Sequence, residues 1–443
     1  MNKTERILKP VKRIHGGAFL PHLKHTAEYE SVKMPPPAKV YIPLSQHIGA
    51  PCEPTVKKGD KVFVGTLIGN ATSFISAPIH SSVSGTVEDI TEYVMNGTPN
   101  RCVVIESDGE MTPDPNLAPF AVNNAADIAA AAKNCGLVGL GGAGFPTHVK
   151  LTPKDDTPID TLVINGAECE PYLTADYREC MESSEDIIEG IYLLKDMLGL
   201  EKVIIGVESN KPKAIEKLFA IASDARDTDD KVKLMRLPAS YPQGAEKVII
   251  YSATGRVVPP GKLPSDVGCI VMNITSIGTL YRFINTGMPL VSKRVTLEGD
   301  AIKEPKNIIV PIGTPIKDLL EFAGEECIEG ARVIMGGPMM GQPVGDVNAV
   351  IEKRTNGILV TCEPLPAKTT ACIRCGRCAA TCPMKLYPAS VEAAYLAGNA
   401  GNYEKFNVNY CMECGSCAYV CPARRPLTQV MRNAKAEIRR NKK

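Results

Sequence analysis

Residues 372–383 read CIRCGRCAATCP and residues 411–422 read CMECGSCAYVCP, each a C-x2-C-x2-C-x3-C-P run. A segment so dense in thiols and turns is organised by whatever the thiols bind, so this duplication constrains the fold more than any other feature. Iron–sulfur cubanes take four thiolates: three come from one tight loop, and the cysteine before proline serves the other cluster of the pair. That order predicts one [4Fe–4S] cluster on Cys372, Cys375, Cys378 and Cys421, and a second on Cys411, Cys414, Cys417 and Cys382. Structural zinc is the competing reading, but two separated C-x2-C pairs complete its tetrahedron and leave the third cysteine and the Cys-Pro without a role. Gly376 and Gly415, each after the second cysteine of its run, let the backbone approach the sulfides without a Cβ in the way. Such centres pass single electrons and do no organic chemistry, so the source of electrons is expected elsewhere in the chain.

The remaining cysteines of the 16 are scattered: Cys52, Cys102, Cys135, Cys169, Cys180, Cys269, Cys327 and Cys362. No apolar leader opens the sequence, which points to a reducing compartment where these eight are small buried hydrophobes. No apolar run approaches the roughly 18–20 residues that cross a bilayer, so a soluble or peripheral protein is expected. Fifty Lys and Arg against 49 Asp and Glu give a net charge of +1, which excludes the basic balance of a nucleic-acid binder. The basic ends, MNKTERILKPVKR and NAKAEIRRNKK, read as solvated tails.

The chain is long enough for three or four domains, at roughly 100–200 residues each. Residues 38–107 show short alternating runs broken by Gly-Asp, Pro-Cys and Ser-Gly turns, a small all-β unit. From about residue 123, NNAADIAAAAKNCG reads as a helix, TLVIN and KVIIGVE as buried strands, SNKPKAIEKLFAIAS as a capped helix and VKLMRLP as a strand. That rhythm predicts an α/β domain with a parallel sheet. Residues 294–360 read strand, strand, helix, strand, and 362–371 form a Pro-punctuated linker. The last stretch, PLTQVMRNAKAEIRRNKK, is expected as an exposed helix.

Residues 136–151, GLVGLGGAGFPTHVKL, carry closely spaced glycines whose N–H groups can face a phosphate, with Lys150 as a nearby cation; a flexible loop is the bland alternative. This loop, followed by LVINGAECEPYLTADYREC at 162–180, resembles the flavin- and NADH-binding subunit of respiratory complex I. The resemblance places Gly139, Gly141, Gly142, Gly144 and Lys150 on the FMN phosphate and ribityl loop, Phe145 at an aromatic nucleotide-stacking position and Asn165 at the flavin. It puts Glu168 and Glu170 at the isoalloxazine edge and the nicotinamide. More loosely, it aligns Gly244, Glu246 and Asn273 with further site residues. Leu140, Ala167, Cys169 and Ala245 depart from that pattern. His148, inside the loop, is a further candidate for cofactor contact, and no acid–base pair is required.

The V-x-x-G-D-x-V-x-x-G-x-x-I-G pattern before it resembles the barrel-sandwich hybrid fold of biotinyl and lipoyl carriers. GNATSFIS occupies the carriers' hairpin tip without their lysine, which implies a scaffold role. Over its whole length the order of modules resembles the C subunit of Rnf-type electron transport complexes. The resemblance implies a multidomain α/β and α+β chain: a barrel-sandwich hybrid with its N-terminal segment at 1–118, a Rossmann-like FMN-binding α/β domain at 119–293, a β-grasp module of the soluble-ligand-binding (SLBB) type at 294–361 and a bacterial-ferredoxin-like 2[4Fe–4S] domain at 362–443. It implies FMN and two [4Fe–4S] clusters as cofactors, NAD(H) as substrate, and other subunits of a membrane complex as partners, with ferredoxin reached through one of them. The expected place is the cytoplasmic face of the membrane, and the expected activity is ferredoxin:NAD oxidoreduction coupled to ion translocation by the partners. A flavin and iron–sulfur cobalamin reductase, or an electron-carrier scaffold without nucleotide binding, are the alternatives.

Overall fold

The structure, a computed structural model, describes residues 7–152, 157–222, 230–324, 330–363 and 368–441. An N-terminal arm carries two short strands, β1 (Ile7–Leu8) and β2 (Val32–Lys33). The β unit follows: β3 (Lys39–Pro43), β4 (Glu53–Pro54), β5 (Lys61–Val62), β6 (Leu67–Asn70), β7 (Ile79–His80), β8 (Gly85–Met95) and β9 (Thr98–Ser107). They form two sheets, ordered β3-β9-β8-β5 and β4-β6-β7, around Val40, Ile42, Ile68, Ile79, Val103 and Ile105. Asn96 and Gly97, both at positive φ, close the β8–β9 hairpin in the turn that suits the strands' twist.

The α/β domain contains α1 (Ala125–Asn134), α2 (Thr147–Lys150), β10 (Thr161–Gly166), α3 (Ala175–Glu182), α4 (Ser184–Met197), β11 (Lys202–Glu208), α5 (Pro212–Ala222), β12 (Val232–Leu237), α6 (Glu246–Thr254), β13 (Cys269–Asn273) and α7 (Ile274–Thr286). The middles of β10, β11 and β13 are apolar because helices cover both faces of a parallel sheet. Leu162, Ile164, Val203 and Ile205 enter one core, whereas Val163, Ile204 and Val271 meet Ile249 and Ala253 of α6 in the other. The order β12-β11-β10-β13 reverses its direction of growth at β10. Such a reversal leaves a crevice at the carboxyl ends of the two strands that part, here β10 and β13.

The third module has β14 (Ser292–Glu298), β15 (Lys306–Pro311), α8 (Ile316–Phe322), β16 (Arg332–Met335), β17 (Gln342–Val344) and β18 (Gly357–Thr361). The cysteine segment has α9 (Arg377–Thr381), α10 (Pro388–Leu396), α11 (Ala400–Lys405), α12 (Ser416–Tyr419) and α13 (Leu427–Asn441).

Two expectations are corrected here. Helix α13 is not an exposed appendage: Leu427, Val430, Met431, Ala434 and Ile438 are buried along it, and Met431, Ala434 and Ile438 pack against Val391, Ala394, Tyr403 and Val408. A domain built around cysteine loops has few apolar residues, and each buried Leu or Ile adds about 1.5–3 kcal/mol, so the helix supplies the core the loops lack. Nor is the described part of the basic N-terminus a solvated tail. β1 extends the α/β sheet beside β12, and β2 extends the third module's sheet, ordered β17-β16-β18-β14-β15-β2. Residues 7–37 thus stitch other modules together instead of joining the β unit. Of the scattered cysteines, Cys52, Cys102, Cys135, Cys180 and Cys269 are buried as expected, Cys169 is half-buried and Cys362 is exposed. Cys327 and residues 364–367 of the linker lie outside the described residues.

Candidate functional site

The glycine loop lies across the crevice between β10 and β13. Asn273, the last residue of β13, caps α7: its Oδ1 accepts the N–H groups of Thr275 at 3.0 Å and Ser276 at 3.3 Å. Its Nδ2 donates to Asp176 Oδ2 at 2.8 Å. Gly141 sits directly over this amide, for a Cβ there would fall 2.8 Å from Asn273 Nδ2. The loop is closed by the Gly139 N–H donating to the Phe145 carbonyl at 2.9 Å. It is held to the β unit at Gly144, whose carbonyl accepts the Ile48 N–H at 3.1 Å. Gly142 is different: it is exposed, and a Cβ there would meet nothing within 4 Å. Unlike Gly144 at φ +70, it does not adopt a left-handed conformation. The protein's own packing therefore does not call for glycine at 142, whereas a ligand lying against the backbone does. Leu140, which departs from the motif, is fully buried in the α/β core.

The side chains below the loop are paired. Lys150 Nζ donates to Glu246 Oε1 at 2.6 Å and to the Val271 carbonyl at 3.3 Å. Asn165 Nδ2 donates to the Gly244 carbonyl at 2.7 Å, and its Oδ1 accepts the Ala167 N–H at 3.2 Å. Thus the glycine loop meets Asn273, Lys150 meets Glu246, and Asn165 meets Gly244.

The acidic loop after β10 turns its carboxylates into the protein. Glu168 Oε1 accepts the Asp176 N–H at 2.6 Å and its Oε2 accepts the Tyr177 N–H at 3.2 Å, capping α3. Burial raises the Glu168 pKa to about 7 against the pull of Lys24. Glu170 accepts the N–H groups of Met339 at 3.0 Å and Met340 at 2.9 Å, and Tyr241 Oη donates to it at 3.4 Å. Burial raises this carboxyl too, opposed by those two N–H groups. The β16–β17 loop, GGPMMG, is thereby pinned to the crevice. A Cβ on its Gly337 would overlap the Glu170 carboxylate, so glycine alone permits this approach.

In the cysteine segment, Cys382, Cys411, Cys414 and Cys417 line one cavity and Cys372, Cys375, Cys378 and Cys421 line another. The backbone repeats the duplication: Arg374 and Glu413 have φ 55 and 60, Gly376 and Gly415 have 75 and 81, and Lys385 and Arg424 have 55 and 52. Burial raises the Cys382 and Cys411 thiols, and the Leu386 N–H, 3.4 Å from Cys382 Sγ, and the Glu413 N–H, 3.3 Å from Cys411 Sγ, oppose that rise. Among the described residues no three His, Cys, Asp or Glu side chains converge as around a single metal ion. Each thiol set rings a cavity, and four thiols spread around a cavity suit a cubane.

Over 427 residues the chain is 43% identical to the C subunit of the proton-translocating ferredoxin:NAD(+) oxidoreductase complex of Clostridium ljungdahlii, covering 94% of this chain and 92% of that one. The chain belongs to this family of C subunits. It is 44% identical over 432 residues to the Na(+)-translocating counterpart of Acetobacterium woodii, covering 96% of each. With the C subunit of the ion-translocating oxidoreductase complex of Rhodobacter capsulatus, identity is 41% over 433 residues, 96% of this chain and 83% of that one. Residues 12–110 match the RnfC barrel sandwich hybrid domain, 132–282 the Nuo51 FMN-binding domain, 294–343 the SLBB domain and 366–422 the 4Fe-4S dicluster domain. Among solved structures, a chain of an H2-reduced NAD+-reducing [NiFe]-hydrogenase aligns with TM-score 0.50 at 18% identity, over 73% of this chain and 62% of that chain. This likeness concerns fold alone, and the chain spans less than two thirds of that neighbour.

Sequence reasoning misses three residues that shape the crevice of this family member. Lys24 of the arm donates from Nζ to the carbonyls of Glu168 at 2.9 Å, Glu170 at 2.7 Å and Leu173, and its surroundings lower its pKa to about 8, chiefly through burial. Lys211 donates to the Ala167 carbonyl at 2.6 Å and pairs with Glu208 at 3.4 Å. The two ammonium groups grip the acidic loop by its backbone and so aim its side chains. Tyr241, 2% exposed, is the third. A single lysine inside HGGAFLPHLKHTA carries no periodic signal. His148, conversely, is not at the crevice: its Nε2 donates to the Phe74 carbonyl at 2.9 Å and its ring meets Phe74 edge-on at 5.8 Å. It ties α2 to the hairpin tip where carrier domains bear lysine.

Proposed function

We propose that this chain passes electrons between NAD(H) and two [4Fe–4S] clusters by way of FMN held in the β10–β13 crevice. The observation that carries the reading is the exposed glycine loop over Asn273, with Gly142 open where a Cβ would stand. A flavin exchanges hydride with nicotinamide and single electrons with clusters, the conversion a dinucleotide and a cubane both require. Backbone N–H groups of Gly141, Gly142 and Gly144 would hold the flavin phosphate, with Gly139 closing the loop and Phe145 flanking it. Asn165 and Asn273 orient the crevice walls, each fixed by the bonds described above. Lys150 and Glu246 form a charge pair beneath the loop. Glu168 and Glu170 act through structure, keeping the acidic loop and the β16–β17 loop in register beside the nicotinamide. The Cys372, Cys375, Cys378, Cys421 set and the Cys382, Cys411, Cys414, Cys417 set would ligate one cluster each.

The partners are other subunits of an ion-translocating complex, as the relatives' names state for those proteins. No described helix is long and apolar enough to cross a membrane, which fits a peripheral subunit docked on the cytoplasmic face and reaching ferredoxin through a neighbour. Iron, sulfide and flavin analysis of anaerobically prepared chain, with NADH oxidation by an artificial acceptor, tests this. A colourless protein holding only zinc, or a flavin-loaded protein inert toward NADH, overturns it.

A further inference from the structure

The function above makes no use of residues 15–18, HGGA, on the N-terminal arm. The Gly17 N–H donates to the Thr381 carbonyl at 2.8 Å, and Thr381 Oγ1 donates back to the Gly17 carbonyl at 2.6 Å. One residue on, the Ala18 N–H donates to the Tyr241 carbonyl at 2.7 Å and the Tyr241 N–H to the Ala18 carbonyl at 3.1 Å. The arm is therefore bonded on one side to the α/β domain and on the other to the residue that directly precedes Cys382. Both contacts are at backbone distance. Gly16, at φ +64, would place a Cβ 2.5 Å from Thr381 O, and Gly17, at φ +88, would place one 2.7 Å from Tyr241 O. Only glycine fits either position.

A second crossing runs parallel. Tyr241 Oη and the N–H groups of Met339 and Met340 all meet the Glu170 carboxylate. The Met339 carbonyl in turn lies 2.8 Å from where a Cβ of Gly415 would stand, beside Cys414. Both crossings start at the acidic loop or its neighbour Tyr241, and both end on the same thiol set, since Cys382 and Cys414 share a cavity. That set is also the more enclosed: Cys414 and Cys417 are buried, whereas Cys372 and Cys375 of the other set are exposed, with Ile373 between them 67% exposed.

We infer that the Gly16–Ala18 segment is a positioning strap that holds the Cys382, Cys411, Cys414, Cys417 centre against the flavin crevice, making it the electron entrance and the Cys372 set the outward-facing exit. This rests on the proposed function. Oxidising one NADH to NAD+ releases two electrons and one proton; each centre accepts one electron and the proton goes to solvent. Electrons reach the exit only through the entrance, so misplacing the entrance slows the reduction of both centres without touching hydride transfer.

The experiment uses the anaerobic full chain loaded with flavin, iron and sulfide, mixed with NADH under single-turnover conditions. Flavin bleaching and cluster reduction are followed separately by absorbance and EPR. In Gly16→Ala, whose Cβ meets the Thr381 carbonyl on the cluster side, the flavin phase keeps its wild-type rate and the cluster phase slows several-fold. Thr381→Val, which removes the hydroxyl donor without adding bulk beside the strap, slows the cluster phase as well, and Thr381→Ser restores it. Wild-type cluster rates in both Gly16→Ala and Thr381→Val, at full iron and flavin content, overturn the strap. At substoichiometric NADH the first EPR signal should survive Cys372→Ser and vanish in Cys411→Ser; the reverse pattern overturns the assignment of entrance and exit. A wild-type chain whose flavin NADH does not bleach would instead refute the proposed function, which separates the two failures.

Discussion

Lys24 Nζ donates to the Glu170 carbonyl at 2.7 Å across 146 residues of sequence. With its bonds to Glu168 and Leu173 it converts a surface loop into a fixed wall of the crevice. Lys24→Met keeps the length of the side chain and removes all three donors. Each hydrogen bond to a charged group contributes about 1.5–3 kcal/mol, not additively, so a loss of at least about 2 kcal/mol is expected. Denaturant midpoints should fall, and flavin reduction by NADH should slow while iron content stays intact. A variant as stable and as fast as the parent would show that the clamp is ornamental.

Gly337 and Glu170 touch so closely that the β16–β17 loop of the third module is held in register against the crevice at this contact. Gly337→Ala forces the Glu170 carboxylate or the β16–β17 loop to shift, an overpacking cost of about 1–3 kcal/mol. Glu170→Gln offers an amide group to N–H donors and leaves at least one unsatisfied, with a cost of similar size, about 1–3 kcal/mol. Both variants should impair the passage of electrons to the clusters more than flavin content. Normal kinetics in both would remove Glu170 from the route.

Gly142 separates ligand binding from stability. A valine there has open space around it, so thermal stability of the flavin-free chain should be unchanged. Flavin content of Gly142→Val should fall sharply with iron spared. Lys150→Ala should lower flavin content as well, because Glu246 is left unpaired beneath the loop. Full flavin retention in both variants would mean that the cofactor lies elsewhere.

Cys382 tests the crossed arrangement of thiols. Its cavity partners are Cys411, Cys414 and Cys417, although it follows Cys378 in sequence. Cys382→Ala should therefore damage the cluster of the 411–417 run and leave in place the EPR signal of the Cys372 set developed with dithionite, which reduces the exposed centre directly. Loss of the Cys372-set signal alone would contradict the geometry.

Much of this is readable locally. Apolar runs at 161–166 and 202–208 read as buried strands, the Cys spacing pairs Cys382 with the second run, and the glycines of 139–144, a flexible loop on their own, point to a flavin site once the motif that follows them is taken with them. What stays hidden is long-range. Lys24, Gly17 and Tyr241 act through backbone atoms of segments far away in sequence, and such contacts impose no period on the residues around them. Helix α13 reads as exposed because its charged face dominates the composition, while the five apolar positions that matter are spaced around a helix. Glu168 and Glu170 show their type but not their direction, which the bonds to Asp176, Tyr177, Met339 and Met340 decide.

Lys353 joins three modules and makes the last prediction one of pH. It is 1% exposed, and its Nζ donates to the carbonyls of Pro78 at 2.6 Å and Gly136 at 2.7 Å, while its N–H donates to Gln46 Oε1 at 3.0 Å. Burial lowers its pKa from 10.5 to about 8. The nearby His80 ring, pushed to about 3 by burial and by Lys353, stays neutral. Between pH 8 and 10.5 the unfolded chain holds a proton on Lys353 that the folded chain has released, so stability rises with pH across this window and is lost as pH falls through 8. The full span corresponds to about 3 kcal/mol. Lys353→Met cannot titrate and lacks this slope, whereas Cys and Tyr residues common to both chains cancel in the comparison. Denaturation of both chains from pH 7.5 upward should show the parent gaining on the variant as pH rises. Parallel curves would mean that the buried amine keeps its ordinary proton affinity, and that the junction of barrel, crevice and third module is not held by a strained ammonium.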